Sequence, residues 1–505
     1  MSLLDSLNPE QLAAVTLPRE SALILAGAGS GKTKVLTARI AWLIQTGQVG
    51  PNGVLAVTFT NKAAKEMLHR ISTMLPINTR SMWVGTFHGL CNRMLRAHWK
   101  EAGLPQAFQI LDMQDQLSAI KRMYKVLGID AEKFPPKQLS YFVGSAKDQG
   151  LRPKDVEAHD EYHRMMVRLY EAYEAQCQRE GVVDFAELLL RSFELLGANP
   201  ALREHYQARF KYILVDEFQD TNSLQYNWLK RLAGPQGCIF AVGDDDQSIY
   251  AFRGARVANM VQFENDFNVQ NRIKLEQNYR SVGNVLKAAN VLIAHNKARL
   301  GKELWTEAGE GEAIRVYEAT SDQDEAAFII DRIKKLVLEE GYGRSDIAIL
   351  YRSNAQSRVV EQALFNAGMP YRVYGGLRFF ERAEIKHALA YLRLMDNADD
   401  DNSFSRVVNF PARGIGARSV EQLQDISTAQ GTSLYRAIHR MEGRAQAGLK
   451  KFADLIERMR FETRGLSLAD LVDKVINESG LVAHFQADKD GEDRVENLKE
   501  LVNAA

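Results

Sequence analysis

The sequence is short of several things whose absence narrows its function. Its 505 residues carry no net charge, with 64 basic residues balanced by 64 acidic ones. A basic tail or a histone-like field is therefore excluded, and any site for a polyanion must be a local groove. Cysteine is scarce: Cys91, Cys177 and Cys238 stand far apart, without the paired spacing of a metal cage or a disulfide framework. No apolar run approaches the roughly eighteen residues of a membrane span, and the N-terminus MSLLDSLNPEQ lacks the basic-then-apolar signature of a secretory leader. Fixed-period repeats and low-complexity tracts are missing too. These absences lead to the expectation of a soluble protein of a reducing, intracellular compartment, without membrane partners.

The length exceeds what one hydrophobic core supports, since cores stop growing at about 250–300 residues, so three or four domains are expected. Short apolar runs at Leu23 to Leu25, Val54 to Thr58, Tyr212 to Val215 and Ile239 to Val242 predict buried strands, each followed by a polar or glycine-rich turn. Such runs suit a parallel sheet covered on both faces, whose ligands bind at the carboxyl ends of the strands. Residues 88–209 show helical periodicity, as in Gln114 to Leu127 and His163 to Glu180, and predict a helical insertion. Further strands are expected at Ile314 to Tyr317, Ile347 to Tyr351 and Tyr371 to Tyr374, forming a second α/β domain. From 375 onward the pattern is helical, with Ala383 to Met395 and Arg444 to Glu462 as the clearest stretches.

The chemistry concentrates after the predicted strands. The segment LILAGAGSGKT is an apolar strand, a glycine-rich loop from Ala26 through Gly27, Ala28, Gly29, Ser30 and Gly31, and then Lys32 and Thr33 opening a helix. Backbone N–H groups of such a loop cradle phosphate oxygens, Lys32 would reach the β- and γ-phosphates, and the Thr33 hydroxyl would face magnesium. Ala26 stands where the strict pattern has glycine. The alternative, a glycine-rich turn with an exposed lysine, lacks the strand-to-helix context seen here. In YILVDEFQD, Asp216 follows an apolar strand and is the candidate metal carboxylate, with Glu217 to orient or deprotonate a water. An acidic pair after a strand also caps helices; beside a phosphate loop it points to nucleotide hydrolysis.

A longer series of motifs runs in order: LNPEQ with Gln11, AGAGSGKT, TFTNKAAKEM, VGTFHGL, VDFAELL, VDEFQDTN, VGDDDQSIYAFRGA, LEQNYRS and YGGLRFFERAEIK. In these the chain resembles the UvrD/PcrA/Rep group of superfamily 1A helicases over essentially its whole length. The resemblance implies two RecA-like P-loop motor domains with parallel sheets, each bearing a mainly helical insertion, and an ATP-driven 3′ to 5′ DNA helicase acting in excision and mismatch repair. It divides the chain into a first motor at 1–87 and 210–274, its insertion at 88–209, part of a second motor at 275–374 and an accessory insertion at 375–505. By the same resemblance Gln11 would read the adenine edge, Tyr279 would stack on the base, Arg280 would reach the γ-phosphate and Gln247 would sense it. Arg39 completes the expected nucleotide contacts. ATP and Mg²⁺ are the implied ligands, the latter on Thr33 and Asp216.

For single-stranded DNA the matching positions are Phe59, Thr60, Asn61, Thr86, Phe87, His88, Tyr250, Phe252 and Arg253, with Arg352, Asn354 and Arg358 from the second motor. Aromatic platforms with phosphate donors suit sequence-tolerant strand binding, although a single such phenylalanine is as readily core. Phe252 stands where close relatives place tryptophan. The turn PARGIGARS, with Gly414 and Gly416 flanked by Arg413 and Arg418, matches a segment used against duplex DNA, so single/double-strand junctions are expected partners. Repair proteins, a monomer or weak dimer, and a bacterial cytosolic, nucleoid-associated location complete the expectation. Family members continue beyond this length, so a fragment lacking the last motifs is expected, with exposed apolar surface on its second motor. Two other classes remain open: an ATP-gated DNA-binding module without turnover, and the motor of a RecB/AddA-type helicase–nuclease.

Overall fold

A computed structural model of the chain describes residues 3–251, 254–297, 299–352, 354–373, 382–442, 444–487 and 491–505. The chain divides into two compact units, Met1–Val316 and Tyr317–Ala505.

The first unit is built on a six-stranded parallel sheet. Its strands are β1 (Ala22–Ala26), β2 (Val54–Thr58), β3 (Trp83–Thr86), β6 (Tyr212–Val215), β7 (Ile239–Gly243) and β8 (Asn271–Leu275), in the spatial order β3-β2-β6-β7-β1-β8. Two-residue strands β4 (Gln109–Ile110) and β5 (Val182–Val183) pair separately. The period-two geometry of a strand sorts the apolar runs onto two faces. Leu23, Leu25, Leu55, Val57, Ile213 and Val215 enter one core with the helices Phe87–Ala97, Phe185–Ala198 and Ser223–Ala233. Ala22, Ile24, Ala26, Val54, Ala56, Leu214 and Val242 enter the opposite core with the helices Pro9–Thr16, Lys32–Gln45 and Asn61–Met74. Burial on both faces explains why these strands read as continuous apolar runs.

Besides the two-residue pair, two strands of the main sheet were not expected from the sequence. β3 is only four residues long, and β8, Asn-Arg-Ile-Lys-Leu, alternates polar and apolar residues because it is an edge strand beside β1 alone. The segment expected as an insertion is mainly helical, but its separate core, including Ile120, Leu139, Tyr170 and Tyr173, spans only 111–182. Its outer parts, Phe87–Ala97 and Phe185–Ala198, pack against the sheet instead. Inside it, Arg152 bonds to Glu174, Glu187 and Glu194, while buried Lys147 sits 2.8 Å from Asp184 and 2.9 Å from Glu187.

In the second unit the helices Asp322–Leu338 and Asn354–Asn366 pack together around Ile330, Ile333 and Leu364. The helices between Ala383 and Ala504 share a larger core around Ile385, Tyr391, Phe404, Phe452 and Leu498. The strands expected at 314–317, 347–351 and 371–373 are a correction: those residues belong to no sheet. A strand needs a paired neighbour, and these stretches leave Val316 92% and Leu350 94% exposed. Tyr374 lies outside the described residues.

Candidate nucleotide site and nucleic-acid track

The chain leaves β1, buried between β7 and β8, at Ala26 and turns through the glycine loop at the carboxyl edge of the sheet. Gly29 (φ +68°) and Gly31 (φ +89°) occupy the left-handed region, which costs an ordinary L-residue about 1–2 kcal/mol. The loop carbonyls from Gly27 to Ser30 are all engaged. Gly27 O accepts from Ser30 Oγ at 2.8 Å, Ala28 O from Asn278 Nδ2 at 2.6 Å, Gly29 O from Tyr279 N at 3.0 Å and Ser30 O from Gln11 Nε2 at 2.9 Å. With its acceptors committed, the loop offers an incoming group its donors, and Gly31 has no side chain to cap the helix Lys32–Gln45. The arrangement is an anion cradle.

Opposite it, Asp216 directly follows β6 and Glu217 comes next at φ +49°, a strained conformation for a residue with a side chain. Lys32 Nζ lies 2.7 Å from Glu217 Oε2, which also accepts from Gln219 Nε2 at 2.9 Å. Burial and the neighbouring Glu217 charge push the Asp216 carboxyl up to about 6, against the pull of Lys32. Asp220 is pushed up to about 6 by the same causes, and its buried Oδ1 has no hydrogen-bond partner. Buried carboxylates with too little compensating charge form a donor set suited to a hard divalent cation.

Gln219 extends this cluster, accepting from Asp244 N at 2.9 Å. Gln247 donates through Nε2 to Asp244 Oδ2. Neither Gln219 nor Asn278, which holds the loop at Ala28 and also caps Arg280 N at 2.8 Å, was assigned a role from sequence, although both lie inside quoted motifs.

The expected nucleotide contacts divide. Arg280 lies over the loop, since a Cβ on Gly29 would fall 2.8 Å from Arg280 Cβ. Tyr279 is 56% exposed beside it, with its hydroxyl on Gln277. Gln11 is fully buried and spends both ends of its amide internally, on Ser30 O and on Asn8 N. Arg39 is turned elsewhere: its guanidinium donates to the carbonyls of Ala14, Val15, Leu17 and Pro18 and lies 4.7 Å from the Phe240 ring.

Among the strand-binding candidates of the first unit, Phe59 and Tyr250 form a half-buried ring pair 5.4 Å apart, with exposed Thr60 and Asn61 alongside in sequence. Thr86 caps the next helix by accepting from Gly89 N. Phe87 is a correction: as the first residue of that helix it turns into the core, 3% exposed and edge-on to Trp228. His88 remains half-buried, its pKa lowered by burial, so a neutral ring faces Phe185 edge-on at 6.0 Å. Phe185, half exposed, extends this aromatic surface, and only its place in VDFAELL hinted at it. Phe252 and Arg253 lie outside the described residues.

In the second unit Arg352 is exposed, and Asn354 and Arg358 fall on the helix Asn354–Asn366, their side chains outside the described residues. Gly414 (φ +73°) and Gly416 are exposed, and Gly416 is the N-cap of the helix Ala417–Gln430. Arg418 is exposed in its first turn. Arg413 is turned inward, donating to the carbonyls of Val407, Pro411 and Ser479 between Tyr391 and Phe452.

Residues 7–268 match the UvrD/REP helicase N-terminal domain and residues 273–505 the UvrD-like helicase C-terminal domain. The chain is 50% identical to DNA helicase II of Escherichia coli (strain K12), over 99% of its own length and 71% of that protein's. It is 49% identical to DNA helicase II of Haemophilus influenzae and 40% identical to the ATP-dependent DNA helicase PcrA of Bacillus subtilis, again over 99% of this chain and covering 71% and 69% of those relatives. These matches lend no support to the expectation of a fragment. Among the described residues, no helix is long and apolar enough to cross a membrane.

Proposed function

The chain belongs to the UvrD/Rep family, ATP-dependent DNA helicases, and from that premise we propose that it couples magnesium-dependent ATP hydrolysis to 3′ to 5′ movement along single-stranded DNA in the service of DNA repair. The observation that carries this reading is the glycine loop, with its carbonyls from Gly27 to Ser30 engaged, next to Lys32, Asp216 and Glu217 at one carboxyl edge of the sheet. The loop N–H groups and Lys32 bind the phosphates, and Arg280, lying over Gly29, approaches from the opposite side. Thr33 and Asp216 would hold magnesium, which supplies charge neutralisation at the phosphates. Glu217 takes a proton from the attacking water once Lys32 has moved to the nucleotide. Tyr279, exposed beside the loop, supplies a ring for the base, and Gln247 reports the γ-phosphate.

The ring pairs Phe59–Tyr250 and His88–Phe185 give strand bases surfaces to stack on, and Thr60 and Asn61 offer polar contacts to the backbone. The exposed helix N-terminus at Gly416, with Arg418, suits a phosphate of duplex DNA and so a single/double-strand junction. A bacterial cytosolic location and a monomer or weak dimer fit this role.

The test is ATP hydrolysis by the purified chain with and without single-stranded DNA, beside Lys32→Ala, followed by unwinding of duplexes tailed at the 3′ or the 5′ end. DNA-stimulated turnover that vanishes in the variant, with unwinding of the 3′-tailed duplex alone, is expected. Nucleotide and DNA binding without turnover would replace the motor with a gated clamp, and unwinding from a 5′ tail would overturn the polarity.

A further inference from the structure

Lys302 belongs to none of the motifs read from the sequence, yet it is among the most enclosed cations of the first unit. Its side chain is 2% exposed, and Nζ lies 2.5 Å from Asp244 Oδ1, 2.9 Å from Asp245 Oδ1 and 2.7 Å from Asp246 Oδ2. Arg299 reaches Asp246 alone, with two bonds of 2.7 Å, and Leu300 N donates to Asp245 at 2.7 Å. Lys302 is thus the cation all three carboxylates share. Burial works against its charge, but the three aspartates win and raise its pKa above the ordinary lysine value.

The position of those aspartates gives the lysine a chemical setting. Asp244 accepts from Gln247 through one oxygen and from Lys302 through the other. Its N–H donates to Gln219, whose amide in turn donates to the Glu217 oxygen that pairs with Lys32. An unbroken chain of polar contacts therefore runs from Lys302 through Asp244 and Gln219 to Glu217. The segment bearing Lys302 also covers the phosphate loop: a Cβ on Gly27 would fall 2.2 Å from Leu304 Cδ2, and Trp305 O accepts from Asn278 N at 2.7 Å.

We propose that Lys302 is a positioning residue for ATP hydrolysis, holding Asp244 so that Gln247 and, through Gln219, Glu217 stand where a γ-phosphate and its attacking water would meet them. Without it, Asp244 and Asp245 would repel one another and Gln247 would lose its fixed acceptor. This inference rests on the nucleotide-hydrolase reading above.

The experiment compares the full chain with Lys302→Met and Lys302→Arg, reading kcat and KM for DNA-stimulated ATP hydrolysis, affinity for Mg-ADP, and amide hydrogen exchange at 244–247 and 299–305. Lys302→Met is expected to lower kcat at least about tenfold while ADP affinity stays within about twofold, because ADP has no γ-phosphate to be met. Lys302→Arg, which keeps the charge, recovers most of the loss. A Met variant with wild-type kcat overturns the proposal, as does a loss of ADP affinity equal to the loss of turnover, which would mark a merely structural lysine. If the unaltered chain shows no DNA-stimulated turnover, the hydrolase reading fails, and exchange decides for the lysine. Faster exchange at 244–247 in the Met variant but not the Arg variant supports the anchoring, and unchanged exchange overturns it.

Discussion

Replacing Glu217 by glutamine should make the protein bind ATP more tightly while nearly abolishing its turnover. Lys32 Nζ and Glu217 Oε2 are 2.7 Å apart, with side chains 12% and 31% exposed. Lys32 cannot reach a phosphate without giving up that pair. A partly exposed ion pair is screened by water, so its worth is about 0.5–1 kcal/mol. Glutamine keeps the shape and the strained backbone but not the charge, so most of that energy ceases to oppose nucleotide. The dissociation constant for Mg-ATP should fall about two- to fivefold. Turnover should fall about 10²- to 10⁴-fold, the usual contribution of a positioned general base. A fluorescent ATP analogue titrated into both forms, with steady-state hydrolysis in parallel, measures both quantities. Unchanged or weaker binding by Glu217→Gln would refute the competition between carboxylate and phosphate, and surviving hydrolysis would remove Glu217 from its assigned role.

Gly29→Ala should weaken nucleotide binding and lower the melting temperature, because it adds about 1–2 kcal/mol of left-handed strain and sets a Cβ 2.6 Å from Asn278 Nδ2. A thermal melt with and without Mg-ATP separates the two effects. At limiting magnesium and ATP, kcat/KM for hydrolysis should fall as pH drops through about 6, where the Asp216 carboxyl of the metal-free enzyme protonates; excess magnesium should move that fall to lower pH, and chelation should abolish hydrolysis at any pH. The same raised pKa acts on stability with the opposite sign: Asp216 weakens the fold at neutral pH, and the penalty fades as pH falls from about 6 towards its unfolded value near 4. A pH–rate profile beside a pH series of melts tests both. Arg152→Met in the helical insertion should cost about 3 kcal/mol in urea unfolding, since it strips a cation from Glu174, Glu187 and Glu194. Burial alone would raise the Glu187 carboxyl, but Lys147, Arg152 and Arg191 hold it well below the ordinary range. Its stabilisation is therefore present above about pH 4.3 and lost on acidification below it.

Whatever the chemistry imposes over a few consecutive residues was legible in the sequence. The phosphate loop needs glycines, a lysine and a hydroxyl at fixed spacing, and those spacings survive without any knowledge of the fold. Sidedness was harder to read. Phe59 and Phe87 each follow a strand in a motif, but the helix at Phe87 starts at the ring itself, two residues earlier than the helix after Phe59 does, and turns it into the core. Arg413 beside its exposed glycines suggests a phosphate contact, whereas three carbonyls, one of them 66 residues away at Ser479, draw it inward. β8 is amphipathic at a sheet edge and so is invisible to a search for apolar runs. Conversely, apolar stretches such as 347–351 read as strands from composition although no neighbour pairs with them. Lys302 leaves no local signal at all, because its meaning lies in carboxylates more than fifty residues away.

These non-local contacts explain how an anion cradle stays intact before its ligand arrives. Lys32 is neutralised by Glu217, the loop carbonyls by Gln11, Asn278 and the Tyr279 amide, and the aspartates after β7 by Lys302 and Arg299. Each is a contact that a nucleotide either uses as a support or must displace. Asn278 and Gln11 are supports, since they donate to loop carbonyls, acceptors for which a phosphate anion has no use. The Lys32–Glu217 pair is the one that must open, and opening it frees the base at the moment the lysine finds a phosphate. On the mechanism proposed above, binding and activation of the water are one event, and the Gln219 bridge links Glu217 to Asp244 and Lys302, on the segment that lies across the loop. Gln219→Leu, which cuts the bridge but touches neither Lys32 nor the loop, should accordingly leave Mg-ADP affinity intact and lower kcat; equal losses in both would show the bridge to be mere packing.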